Sequence, residues 1–300
     1  MAKTKEKYKE QEKAAVYDFP AFISVDSSYL AFLYQTVLGR MLLQPLTSRP
    51  FSVLAGKFMD SSLSTNLIPG FIRSAKITME DYLPEDYRSF NQFFTRRIRP
   101  EARPIDEEPT HLVSPADAKL SVYPLTEDAV FFIKGVPYSA EQLVRSPAFA
   151  KRFRGGYCFI FRLAVDDYHR YAFPDSGRRT RYVHIPGIYH TVQPIALDYA
   201  DIYRQNTREY TCLRTDNFGD ILFMQVGARL VGRLCNEPST RRFARGEEAG
   251  HFDYGGSTIV MFTEKDAVIP HPVFLSRSAE GIESVVRLGQ CIGCAPQKKS

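Results

Sequence analysis

The sequence predicts an α+β fold, a β-rich core preceded by an N-terminal amphipathic helical region. Up to about residue 100 the apolar residues recur at three- and four-residue steps. From Leu112 onward they fall instead into short β-branched or aromatic runs divided by turn residues. The aromatic set, 17 Tyr and 22 Phe with no Trp, leans the same way. At 300 residues, 44% hydrophobic and 24% charged, the composition is that of an ordinary folded chain that needs no disulfide staples.

Residues 1–27 read as a charged tail. The opening MAKTKEKYKEQEK mixes Lys with Glu and no apolar stretch of signal-peptide type comes after it, so no targeting segment is expected. Residues 28–100 read as the helical region. Leu30, Leu33, Tyr34, Val37, Leu38, Met41 and Leu42 share one helical face, and Pro45 and Pro50 break the chain beyond it. Its polar positions carry Arg40, Arg49, Lys57 and Arg73, with Asp60 the sole acid between Ser27 and Lys76. Such a profile fits a helix packed on its own domain, and it equally fits one lying in an anionic membrane interface. Gln35, Arg40 and Gln44 interrupt the longest apolar run, so no bilayer-spanning helix is expected. A second helix is predicted over 80–98, ending in Arg96-Arg97-Ile98-Arg99-Pro100, where the dipole favours cations.

Residues 101–300 read as the β-rich domain. Strands are predicted over 119–123, 130–133, 157–163, 181–184, 210–214, 220–226, 231–234 and 258–262. Asn217-Phe218-Gly219 marks a hairpin between the 210–214 and 220–226 runs. Without a low-complexity linker between them, the helical region is expected to dock on the β core as a cap.

Lys+Arg 39 against Asp+Glu 34 gives +5, which suits an anionic surface and falls short of the basic density of a nucleic-acid binder. Five scattered cysteines fit a reducing compartment, hence the cytoplasm. Cys291-x-x-Cys294 has metal spacing, but there is no second CxxC and no His at finger spacing, so the pair reads as a plain C-terminal tail and no metal is assigned.

Four segments hold potential chemistry. Tyr254-Gly255-Gly256-Ser257-Thr258 precedes an apolar run, and its two glycines strip side-chain bulk from one side of the Gly256–Ser257 bond. A serine hydroxyl there can attack the preceding carbonyl and shift the backbone from amide to ester, given a base and an oxyanion donor. The same residues also suit an ordinary turn. Asp166-Asp167-Tyr168-His169-Arg170-Tyr171 places His169 beside carboxylates after a strand, where an acid can hold the imidazole tautomer. Ser114-Pro115-Ala116-Asp117 sets an acid in a small-residue turn, and Pro186-Gly187-Ile188-Tyr189-His190 leads to an isolated histidine. Asp117, His169 and Ser257 therefore form a candidate acid, base and nucleophile. Thr258 and Ile259 come after Ser257, so it does not sit in a Gly-x-Ser-x-Gly elbow.

Taken with Tyr87-Arg88-Ser89-Phe90-Asn91-Gln92-Phe93-Phe94-Thr95-Arg96-Arg97, Gly246-Glu247-Glu248-Ala249-Gly250-His251-Phe252 and Leu288-Gly289-Gln290, these segments resemble, in order and spacing, the pyruvoyl-dependent phosphatidylserine decarboxylase family. The resemblance implies a self-cleaving proenzyme. Cleavage between Gly256 and Ser257 would leave a β chain 1–256 and an α chain 257–300, and Ser257 would become a covalent pyruvoyl group. That ketone would form a Schiff base with the serine amine of phosphatidylserine and take up the electrons released as CO2 leaves, giving phosphatidylethanolamine. Asp117 matches the family's acid and His169 the first histidine of its Tyr-His-Arg-x-His motif. The second histidine of that motif is Ala172 here, so His169 would serve both steps or His190 would take one.

The resemblance further implies an anionic phospholipid membrane as partner, a peripheral location on the cytoplasmic face of the cell membrane, the chain's own two cleavage products as subunits, and no nucleic acid. It leaves a homodimer open. Leu30, Phe32, Leu33, Leu42, Leu43 and Phe51, with Arg40 and Arg49, are the expected interfacial contacts. Two alternatives stand beside it: a serine esterase that keeps Ser257 intact, and a pyruvoyl decarboxylase of another amino acid or serine lipid.

Overall fold

The computed structural model describes residues 49–128, 130–133, 136–187, 206–227, 242–254 and 257–296, together with 21–22, 32, 36 and 42. Strand β1 (Ala21–Phe22) lies inside the segment read as a tail. Helices α1 (Arg49–Met59), α2 (Ile68–Ala75) and α3 (Phe90–Phe94) come next, with a short 3-10 turn, Ser62–Leu67, between the first two. After them lie β2 (His111–Val113), β3 (Ala118–Pro124), β4 (Val130–Ile133), β5 (Val136–Ser139), α4 (Ala140–Val144) and α5 (Pro147–Ala150). The chain continues with β6 (Tyr157–Leu163), β7 (Arg170–Ala172), β8 (Gly177–Ile185), β9 (Arg208–Thr215), β10 (Asp220–Val226), β11 (Arg242–Phe243), β12 (Glu248–His251) and β13 (Ser257–Thr263). It closes with β14 (Ile269–Pro270), α6 (Pro272–Ala279), β15 (Glu283–Val286) and β16 (Cys291–Cys294).

Nine strands form one sheet in the order β1-β15-β3-β6-β13-β10-β9-β8-β11, antiparallel throughout. Its central strands are apolar on both faces because both faces are covered. Phe159, Phe161, Ile221, Phe223, Ile259 and Met261 point into one core, shared with Phe274 of α6. The alternate residues Cys158, Ile160, Leu222, Met224, Val260 and Phe262 point into the other, beneath Leu143 and Val144 of α4 and Phe149 of α5. Such strands read as unbroken hydrophobic runs, which is why β6 and β10 coincide with the predicted runs; β4, paired with β5 in a separate two-stranded sheet, also spans its predicted residues. The expected hairpin joins β9 to β10, with Gly219 at φ +67°. The expected 231–234 strand lies outside the described residues.

The second helix is not formed as predicted. Over 80–98 only Phe90–Phe94 is α-helical, preceded by a 3-10 turn at Met79–Asp81, and Tyr82 bridges to Ile98 in antiparallel fashion. Pro84 disfavours helix at the residue before it. The basic end also behaves differently from its reading: Arg96 turns inward, 1% exposed, its guanidinium 4.2 Å from the Tyr82 ring centroid and donating to the Tyr82 hydroxyl at 3.1 Å.

Of the helical region, the described residues from Met59 on pack toward the β core. Phe71 and Ile72 of α2 and Met59 of α1 pack with Phe90, Phe93 and Phe94, and this cluster reaches Val165 and Tyr254. Polar clasps fix it: Phe90 N donates to Ser64 Oγ at 2.8 Å, and Asn91 Nδ2 donates to Asp60 Oδ1 at 2.8 Å.

Candidate active site

Ser257 is the first residue of β13, the central strand of the large sheet. It pairs with Leu163 at the end of β6, and Thr258 pairs with Val226 at the end of β10. Buried between two strand ends, Ser257 is 2% exposed, and its Oγ has no hydrogen-bond partner among the described residues. A buried hydroxyl without a partner costs on the order of 1–3 kcal/mol, so its retention at this position calls for a use. Gly255, Gly256 and His190 lie outside the described residues.

The approach to the 255–256 segment is held by Asn91, whose Oδ1 accepts from Tyr254 N at 3.0 Å while its amide nitrogen holds Asp60. The Tyr254 ring lies edge-on against Phe90 and Phe94, at 5.0 and 5.1 Å. Asn91 and Phe94, part of the recognised Phe-Asn-Gln-Phe-Phe segment, thus anchor the main chain three residues before Ser257.

His169 sits in the turn between β6 and β7, and β6 pairs with the strand that begins at Ser257. It is fully buried, with its ring 3.9 Å from that of Phe94. Burial, with the Arg96 and Lys119 cations adding to it, lowers its pKa to about 3, so the imidazole is neutral at physiological pH. Nδ1 lies 2.9 Å from the Asp167 carbonyl oxygen, an acceptor only, which places the proton on Nδ1 and the lone pair on Nε2. Nε2 is buried and has no partner among the described residues. The tautomer is therefore set by a main-chain carbonyl, where the sequence had suggested a carboxylate. The Asp167 carboxylate is engaged elsewhere: it accepts from Lys119 Nζ at 2.7 Å and from Ala164 N at 2.7 Å, which folds the turn. Burial pushes its pKa up to about 6 against the pull of Lys119.

Asp117 is placed differently from the sequence reading. Its carboxylate accepts from Arg103 Nε at 2.9 Å and Nη2 at 2.7 Å, and from Leu288 N at 2.8 Å. Both oxygens are thereby occupied by partners other than His169. Ala172, at the position of the family's second histidine, packs with Tyr82, Tyr168 and Leu288 around this ion pair. The next residue after Leu288, Gly289, takes φ +83°, and a Cβ there would meet Ile105 Cδ1 at 2.6 Å and the Pro104 carbonyl oxygen at 2.8 Å. Arg103 gave no local signal, because its role depends on a carboxylate 14 residues away folding back over it.

Around α1 and α2 the exposed apolar residues are Val53, Leu54, Phe58, Leu63 and Leu67, with Leu54 69% and Leu63 70% exposed. Lys57, Arg73 and Lys76 are exposed among them. Of the residues expected to face a membrane, Phe32 and Leu42 are exposed, the Phe51 side chain is not described, and Leu30, Leu33, Arg40 and Leu43 lie outside the described residues. No helix among the described residues is long and apolar enough to cross a membrane.

Comparison with known proteins places the same segments in a wider frame. A family model described as phosphatidylserine decarboxylase matches residues 90–294. The phosphatidylserine decarboxylase proenzyme 2 of Clostridium acetobutylicum is 41% identical over 265 residues, covering 88% of this chain and 91% of its own length. A phosphatidylserine decarboxylase proenzyme of Clostridium perfringens is 38% identical over 271 residues, covering 88% and 92%. That of Clostridium novyi is 35% identical over 287 residues, covering 94% and 97%.

Proposed function

The chain belongs to the phosphatidylserine decarboxylase family, and we propose from this that it is a proenzyme that cuts itself between Gly256 and Ser257 and then works through a pyruvoyl group. Its activity is the decarboxylation of phosphatidylserine to phosphatidylethanolamine and CO2. The observation that supports the mechanism is that Ser257 Oγ and His169 Nε2 are both buried and have no hydrogen-bond partner among the described residues.

In maturation, Ser257 Oγ attacks the Gly256 carbonyl carbon and gives its proton to the lone pair on His169 Nε2. The C–N bond breaks, the amine of residue 257 takes the proton, and an ester joins the two segments. Loss of the Ser257 Cα proton expels the Gly256 carboxylate and leaves dehydroalanine, which water converts to a ketone with release of ammonia. The products are chains of 256 and 300 − 256 = 44 residues.

When formed, the pyruvoyl group supplies an electron sink for the carbanion left by CO2. The residues present fit that use: Phe90, Phe94 and Tyr254 pack together, with His169 against Phe94, and would keep water out, while a proton held at His169 Nε2 would pass to the substrate carbon. His169 serves both steps in this reading, since Ala172 carries no base. The arrangement of a helical region 28–100 on a catalytic domain 101–300 is part of the same proposal. So is a peripheral place on the cytoplasmic face of the cell membrane, supported by the exposed Leu54, Phe58 and Leu63 beside Lys57 and Arg73.

Intact-mass analysis of purified wild type beside Ser257→Ala tests the core of this. Wild type is expected as two fragments, the smaller with a pyruvoyl terminus, and Ser257→Ala as one chain of 34.2 kDa less the mass of one oxygen. A wild type that stays whole would remove the mechanism and favour a permanent serine nucleophile.

A further inference from the structure

The C-terminal Cys291-x-x-Cys294 segment, read from sequence as a tail, is strand β16, held between β14 and β2 in a separate three-stranded sheet. In a regular strand, residues three apart point to opposite faces. Here the pairing runs Cys291↔Val113, Gly293↔Leu112 and Cys294↔His111, so a bulge between 291 and 293 adds one residue on the β16 side. Cys291 therefore shares a face with Val113 and Cys294 with His111, and since positions 111 and 113 share one face, both thiols and the His111 imidazole lie on it.

A carboxylate joins them. Asp106 Oδ2 lies 3.0 Å from His111 Nδ1, and Asp106, His111 and Cys291 each offer a donor atom, all within 4.8 Å of one another. The loop is fixed in this place: Asp106 N donates to Gly289 O, and Glu108 N to Asp106 Oδ1. The His111 and Asp106 side chains are 30% and 16% exposed, sheltered yet open to an entering ion. Arg245, the nearby cation, is committed to the buried Asp175 carboxylate at 2.9 Å and to the Glu108 carbonyl oxygen.

We propose that Asp106, His111 and Cys291 bind a zinc-type divalent cation, with Cys294 on the same face of the strand. A thiolate, an imidazole and a carboxylate are a mixed S, N and O set that borderline Zn2+ takes, whereas Mg2+ and Ca2+ take oxygen donors alone. Tetrahedral coordination at about 2.0–2.3 Å requires the three donors to draw together only modestly from where they stand. Binding releases the Cys291 thiol proton to solvent as the ion takes its place. The site tethers β16 to the loop before β2. Because Cys291 lies after Ser257 and the other two donors precede it, the ion would also link the two products of cleavage, a consequence that rests on the proposed processing.

The test is metal content. The full chain, carrying an affinity tag free of histidine, is loaded with Zn2+, exchanged into buffer containing micromolar free zinc and analysed by mass spectrometry of the elements. About one equivalent is expected for wild type and for uncleaved Ser257→Ala, and less than about a tenth for Cys291→Ser and His111→Ala. Cys212→Ser, in the opposite part of the core, should retain the ion. Far-UV circular dichroism checks that the variants fold. Cobalt loading of wild type supplies a second reading, since a thiolate ligand gives a sulfur-to-cobalt charge-transfer band that Cys291→Ser should lack. A wild type that holds no metal, or a folded Cys291→Ser that keeps the wild-type amount, overturns the proposal. Equal metal in cleaved and uncleaved chains keeps this result separate from the fate of the Gly256–Ser257 bond.

Discussion

Replacing Asp117 by Asn tests whether this acid is first of all a clamp. The side chains of Asp117 and Arg103 are 11% and 10% exposed, so the pair is nearly dry. Asn keeps the shape and can still accept from Leu288 N. Its amide nitrogen, however, would face the Arg103 Nε and Nη2 donors, leaving a buried guanidinium without its anion. Breaking one partner of a buried pair costs about 3–5 kcal/mol. Asp81 Oδ2, 3.4 Å from Arg103 Nη1 and 38% exposed, retains part of the attraction, which sets the expectation at about 3 kcal/mol. Arg103→Met with Asp117→Asn removes the charge altogether, and the double variant should lose about 2 kcal/mol less than the sum of the singles. The assay is urea unfolding in the uncleaved Ser257→Ala background, monitored by circular dichroism and tyrosine fluorescence, the chain having no Trp. With a slope near 3 kcal/mol/M, the midpoint of the Asn variant should fall by about 1 M. A loss below about 1 kcal/mol, or additive singles, would refute the clamp.

Acidification should expose His169. Its folded pKa of about 3 lies below the ordinary 6.5, so the unfolded chain binds the proton more readily between those values. Stability present above pH 6.5 is therefore lost as pH falls toward 3, by up to about 1.4 kcal/mol per unit. Asp167 acts in the opposite sense: its pKa of about 6, above the ordinary 3.8, adds stability as pH falls between those values. Adding His169→Gln to the Ser257→Ala chain should flatten the acid slope, and identical slopes would contradict the buried neutral imidazole. Phe94→Ala, at a position with no exposure, should cost about 3–5 kcal/mol and slow self-cleavage, read as the uncleaved fraction on a denaturing gel over time. Leu54→Glu with Leu63→Glu should leave cleavage intact while weakening flotation with phosphatidylserine-containing vesicles. Two leucines at roughly 1.5 kcal/mol each amount to about a hundredfold, and undiminished flotation would place the membrane contact elsewhere.

What the sequence determined by itself is whatever a local pattern encodes. Strands β6 and β10 were legible because a strand covered on both faces is a continuous apolar run bounded by turn residues, and Ser257 was legible because two glycines precede such a run. His169 stood out beside its carboxylates, although its orienting partner proved to be a carbonyl, which no side-chain pattern reveals. The 80–98 segment misled because its spacing of aromatic and basic residues suits a helix, yet burying Arg96 against Tyr82 required the chain to fold back on itself. Only the tertiary structure decided that Asp117 belongs to Arg103 and Leu288, that Leu54 and Leu63 face outward while Phe71 faces inward, and that Cys291 meets a histidine 180 positions earlier. The physical reason is common to all three. Charge pairing, exposure and metal-type clustering depend on distance in space, and in an antiparallel sheet whose neighbours are far apart in sequence, that distance is set by strand order and register.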